Sequence, residues 1–142
     1  MEKNLLYFMM GNVDMAKVST RELIDITPYA DFRNELLDDL SVYERFSQRI
    51  LELKQKDENL KGLSPLAEGS TKMSIMFKTM TDKSPEKMSE MLIKGFEMGL
   101  EDIDENITKA VNANERPQVI DLARDYRRFM VECMEKYKKY LK

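Results

Sequence analysis

Twelve methionines and no histidine make an unusual stock of side chains for chemistry. Met73, Met76, Met80, Met88, Met91 and Met98 crowd one stretch at spacings of three and four. Thioethers on one helix face are soft donors that suit Cu(I), but the paired cysteines that would strengthen a copper site are missing. The same side chains can line a deformable groove for an apolar ligand or a partner helix, or simply fill a core where packing is irregular. The candidate groove comprises Met73, Met76, Phe77, Met80, Met88 and Met91. Cys133 is the one cysteine; it falls in phase with Tyr126 and Phe129 and, with no histidine to activate it, reads as a packed thiol. No intramolecular disulfide is possible, which fits a reducing, cytoplasmic setting. Five glycines show neither P-loop nor dinucleotide spacing. Glu97, Glu101, Asp102, Asp104 and Glu105 lack a calcium-loop pattern and read as a solvated helix face.

The elements that would position these residues are helices. Ser84 and Pro85 open the longest amphipathic stretch, over about 85–111, whose face carries Leu92, Phe96, Leu100, Ile103, Ile107 and Val111. Gly95 and Gly99 lie on its flank. A glycine inside a helix costs about 1 kcal/mol relative to alanine, so the pair implies close approach of another helix, from the same chain or from a second copy. A first helix is expected over about 3–26, continuous through Gly11 and Ser19 because the stripe keeps its phase there. The second, over about 28–56, is expected to start with Thr27 as N-cap and Pro28 in the first turn. Its stripe is Phe32, Leu36, Leu37, Leu40, Tyr43, Ser47, Ile50 and Leu51. A shorter helix is expected over 65–82, and a last one over 115–141 with the cleanest stripe, from Val119 to Leu141. Asn112 or Asn114 is suited to the turn before it. No period-two alternation argues for strands. The 142 residues fit a single domain, 1–142, able to bury its own core. A net charge of -3 gives no ground for a nucleic-acid or membrane partner, and no apolar run approaches the roughly 20 residues of a membrane span. The lysines that close the chain suit a helix C-terminus better than a phosphate site, since Tyr137 and Tyr140 between them share the core phase.

Four long helices with a short one between the second and third is the layout of a bundle with one long crossover. The segments KNLLYFMMGNVDMAKVS and MSEMLIKGFEMGLEDI, within that layout, resemble small uncharacterised bacterial proteins of the ferritin-like bundle fold. The resemblance implies an all-α, ferritin-like up-down four-helix bundle with a short fifth helix in the crossover. In the metal-bearing branches it implies a carboxylate-bridged di-iron site.

That site needs a Glu from each of two helices and a Glu-x-x-His pair from each of the other two. Without histidine neither pair exists here. On the last helix, Asp121, Asp125, Glu132 and Glu135 fall away from the Tyr126 face, and on the first Asp14 does so. Glu44 is the one carboxylate of the second helix that falls by phase among its leucines, read first as a core-boundary carboxylate turned to solvent or bonded to a tyrosine or arginine, and otherwise as a buried polar group or a remnant ligand; Glu97 and Asp104 sit near the edge of the apolar arc of the fourth. The expectation is therefore a bundle with no metal, no cofactor and no catalytic residues, acting as an interaction or structural protein. Its partner would be a second copy in a homodimer or another protein. The alternative is a binder of a small apolar ligand or partner helix in the Met-rich groove. A carboxylate-only metal protein ranks last.

Overall fold

The computed structural model describes residues 4–56 and 80–141. They form four helices, α1 (Leu5–Ile26), α2 (Ala30–Gln55), α3 (Pro85–Asn112) and α4 (Pro117–Lys138), with no strand among the described residues. No helix among them is long and apolar enough to cross a membrane. Most of the span expected to hold a short crossover helix lies outside the described residues. Its last part, Met80 to Asp82, is not helical, so a helix does not extend to Asp82 as expected.

Local chemistry accounts for the boundaries. Asn4 caps α1 by accepting from the Tyr7 N–H at 3.0 Å. Ser19 and Thr20 bond back to the Met15 and Ala16 carbonyls at 2.9 and 2.7 Å, so the hydroxyls are satisfied without breaking the helix. Ser84 caps α3 through the Lys87 N–H at 3.1 Å, with Pro85 at the first position. At the other end of α3, Asn114 takes the left-handed conformation with φ 58°. The Glu115 N–H then reaches Ala110 O at 3.0 Å and the Asn114 N–H reaches Val111 O at 3.2 Å, the two bonds of a Schellman ending.

The corner after α1 departs from expectation. Thr27 is buried and closes α1 through its N–H to Leu23 O, while its carbonyl accepts from Arg33. Tyr29, with no side-chain cap, takes the N-cap position and α2 begins at Ala30. The Thr27 hydroxyl still accepts from the Tyr29 N–H at 3.3 Å, so Thr27 holds the turn that leads into α2 without being its N-cap.

Cross-helix contacts fix the chain directions. Lys17 meets Ser47 and Arg21 meets Glu44, so α1 and α2 are antiparallel. Arg49 meets Asp125 while Asp39 meets Lys136, so α2 and α4 are antiparallel. Asp104 meets Arg127 and Phe96 stacks on Tyr137, so α3 and α4 are antiparallel. It follows that α2 and α3 run parallel, and the end of α2 and the start of α3 lie at opposite ends of the bundle.

The core is built from Leu6, Met9, Val13, Leu23, Phe32, Leu36, Met88, Ile103, Leu122, Tyr126 and Tyr137, all essentially sealed from solvent. On α2 the buried positions are Phe32, Leu36, Asp39, Tyr43, Phe46 and Ile50, at steps of four and three. Leu37 and Leu51, expected in the core, are 44% and 43% exposed, and Val111 of α3 is exposed too. The apolar stripe of α2 is wider than the seam it buries, and the seam follows a 3.5-residue step that includes an aspartate.

Candidate functional site

Three carboxylates of α2, Glu35, Asp39 and Glu44, bear on function. Glu35 accepts from Lys139 through one oxygen and from the Tyr140 hydroxyl through the other. Asp39, 4% exposed, binds Lys136 Nζ at 2.5 Å through one oxygen and the Tyr137 hydroxyl through the other. Glu44 binds Arg21 at 2.7 Å and Lys17 at 3.3 Å. Each carboxylate therefore has both oxygens engaged, Asp39 by α4, Glu35 by Lys139 and Tyr140 just past the end of α4, and Glu44 by α1. Glu44, placed by phase among the leucines of α2, sits at the boundary of the core, bonded to an arginine and with its side chain 46% exposed on the α1–α2 rim, as the boundary reading expects. The inward carboxylate is Asp39.

Aromatic rings enclose Asp39. Tyr137 lies edge-on to Phe32 at 5.6 Å between ring centres and stacks near Phe96 at 6.4 Å, while Tyr140 closes on Phe32 at 5.2 Å. Burial, then the nearby Asp39 charge, pushes the Tyr137 hydroxyl far above the ordinary tyrosine range, so it stays protonated and donates. Burial likewise pushes the Cys133 thiol well up, with Asp39 adding to the effect. A thiol held protonated in this way is not a nucleophile. Deeper along the bundle, the Tyr126 hydroxyl donates to Asn12 Oδ1 at 2.5 Å, and burial raises that phenol as well. On α1, partial burial raises the Asp14 carboxyl against the opposing charges of Lys17 and Lys54.

This interior fits a metal poorly. Among the described residues no group of three or more Asp, Glu, His or Cys side chains is placed to hold an ion. The positive side chains that would compete with a cation already sit on the carboxylates. The network is one of tyrosines and lysines satisfying acids, which orders packing but offers no open coordination position.

The outer side of α3 is a second region of interest. A shallow groove of about 300 Å³ is lined by Lys87, Glu90, Met91, Ile93, Lys94, Glu97 and Leu141. Met98 is 67% exposed nearby, the most exposed of the large apolar side chains described. Among the described residues, a Cβ added to Gly95 would meet nothing within 4 Å, whereas one added to Gly99 would lie 2.5 Å from Met130 Cε. The two glycines therefore do different things: Gly99 admits Met130 into the core, and Gly95 lies open at the surface.

Of the expected Met-rich groove, Met73, Met76 and Phe77 lie outside the described residues. Met88 is fully buried in the core, while Met80 and Met91 are partly buried against it. Asp39, Asn12, Tyr126 and Tyr137 make polar contacts between helices inside the bundle, and of these only the two tyrosines were placed on a core face from the sequence. The 4-3-4-3-4 spacing from Phe32 to Ile50 was the available signal for Asp39. No protein-family model, no curated protein and no solved structure matches the chain.

Proposed function

We propose that this chain is a ferritin-like helical bundle without a metal centre, and that it works by binding protein surfaces rather than by catalysis. The observation that carries the reading is the state of Glu35, Asp39 and Glu44, each with both oxygens taken by lysine, arginine or tyrosine from a neighbouring helix or, for Glu35, from the turn that follows α4. The ferritin-like assignment draws support from the helix directions, with α2 and α3 parallel and one long connection between them. A short fifth helix in that connection is part of the same reading. The buried reduced thiol of Cys133 suits a cytoplasmic protein.

The alternative, an apolar ligand in a Met-rich groove, is less well supported. Four of the seven residues lining the α3 groove are charged, and Met88 is spent in the core.

Native mass spectrometry of protein purified without chelator tests the proposal, together with titration of Fe(II). Masses of the polypeptide and its assemblies alone, with no saturable iron uptake, are expected. A stoichiometric transition metal or a single retained small molecule overturns the reading.

A further inference from the structure

α1 is screened from solvent on a side where none of the described helices lies. With about 100° between successive residues, Tyr7, Gly11, Met15 and Val18 fall opposite the core residues Met9, Val13 and Thr20. Yet no residue from Asn4 to Thr20 is exposed; each is buried or half-buried. Asp14, at the edge of that outer side and turned from the core, has its carboxyl raised by burial. The outer side of α4 is the opposite case, with Asp121, Arg124, Arg128, Glu132 and Glu135 all exposed.

The connection from α2 to α3 has to pass over one of these two helices. α2 and α3 barely touch, with α1 and α4 between them, so a chain leaving one for the other crosses outside α1 or outside α4. The pairs Arg21–Glu44 and Lys17–Ser47 set the end of α2 level with the first turns of α1. Gly99 beside Asn12 sets the start of α3 level with the end of α1, near Ile26. That climb is about 25 Å, and residues 57–79 would span about 35 Å even as one helix, so there is chain to spare. Over this length the sequence supplies Leu60, Leu63, Leu66, Met73, Met76 and Phe77. Laid on α4 they would strip water from its charged side chains, whereas on α1 they meet apolar ones. Where the described chain resumes, Met80 is already packed against the core. We propose that residues 57–79 lie along the outer side of α1, over Tyr7, Gly11, Met15 and Val18, so that α1 is enclosed on every side. Met73, Met76 and Phe77 are then spent on α1 instead of lining an open groove, and the charged outer side of α4 is left for a partner. The inference rests on the bundle layout of the reading above and not on its lack of metal.

Photo-crosslinking of the full chain tests the placement. Met15→p-benzoylphenylalanine and Val18→p-benzoylphenylalanine are each expected, on irradiation, to insert into residues 57–79 of the same chain, read by mass spectrometry of the monomer band. Arg128→p-benzoylphenylalanine, on the outer side of α4, is expected to give no such product. Insertion from position 128 into residues 57–79 overturns the proposal. So does the absence of that product from both α1 positions, whether they insert into a second copy, into α2 and α3 alone, or nowhere. Val18→Cys, small enough for the space valine fills, covers the case of a photoreactive variant that fails to fold. Its thiol is expected to react with a maleimide about tenfold more slowly than that of Arg128→Cys, and equal rates overturn the proposal. A chain that takes up iron while position 18 still joins residues 57–79 defeats the metal-free reading alone. A metal-free chain without that product defeats this placement alone.

Discussion

Asp39 and Glu44 lie on the same helix, and each binds two side chains through its two oxygens. Asp39 does so in the seam between α2 and α4, shut away with Tyr137 and Cys133; Glu44 does so on the α1–α2 rim, half in water. The number of partners is equal, but the consequence of losing them is not, since water replaces a lost partner at the rim and cannot in the seam. Gly99 and Gly95, one turn apart on α3, repeat the contrast: one is filled by Met130 and the other faces outward. Residue type predicts neither role; the neighbouring helix does.

The largest test is Asp39→Ala. It strands the Lys136 ammonium and the buried Tyr137 hydroxyl, and is expected to cost about 3 kcal/mol in urea denaturation. Asp39→Leu combined with Tyr137→Phe removes the acid and the hydroxyl together, leaves only the part-exposed Lys136 head without its partner, and is expected to be less damaging than Asp39→Leu alone. A cost for Asp39→Ala no greater than that for Glu44→Ala would erase the distinction between seam and rim.

The glycines come next. Gly99→Leu forces Met130 out of place and is expected to destabilise by about 2 kcal/mol, less whatever helix propensity returns. Gly95→Ala meets no neighbour among the described residues and is expected to stabilise the fold by about 0.5–1 kcal/mol. Thermal midpoints moving in the same direction for both would contradict their different surroundings.

Glu44→Gln is expected to cost under about 1 kcal/mol and to lose most of that effect in high salt, as an exposed pair does. The smallest effect is one of pH at Glu35. Partial burial alone would raise this carboxyl, but hydrogen bonds from Lys139 and Tyr140 and the charges of Lys139 and Lys136 together hold it below its ordinary value of 4.5. The folded form therefore binds its proton less readily than the unfolded chain. Its contribution to stability is complete above the ordinary glutamate range and is lost as pH falls through the lower folded value. Glu35→Gln is expected to flatten that part of the acid limb, as followed by denaturation at stepped pH.

Much of this architecture was readable along the chain. The Ser84–Pro85 start, the passage of α1 through Gly11 and Ser19, and the left-handed turn at Asn114 depend on chemistry within a few residues, and they appear where such chemistry places them. Errors arose where a residue had two uses. Thr27 can cap a following helix, and its hydroxyl does accept from the Tyr29 N–H, but its carbonyl goes to Arg33 instead of to the first bond of α2, which starts only at Ala30. Leu37, Leu40 and Leu51 broadened the apparent stripe of α2 and drew attention to Glu44, although an aspartate stood in the narrower seam beside Tyr43. Apolar residues at a surface carry little penalty, so they blur the phase that buried positions keep.

Sequence alone determined the helical class, the helix count of the described residues and the absence of Glu-x-x-His pairs, because these depend on periodicity, caps and composition. Tertiary structure alone decided which carboxylate enters the interior and which glycine holds a neighbour. Those outcomes depend on the side chain that a facing helix brings to within a few ångströms, and helix–helix registry is set by the packing of whole surfaces.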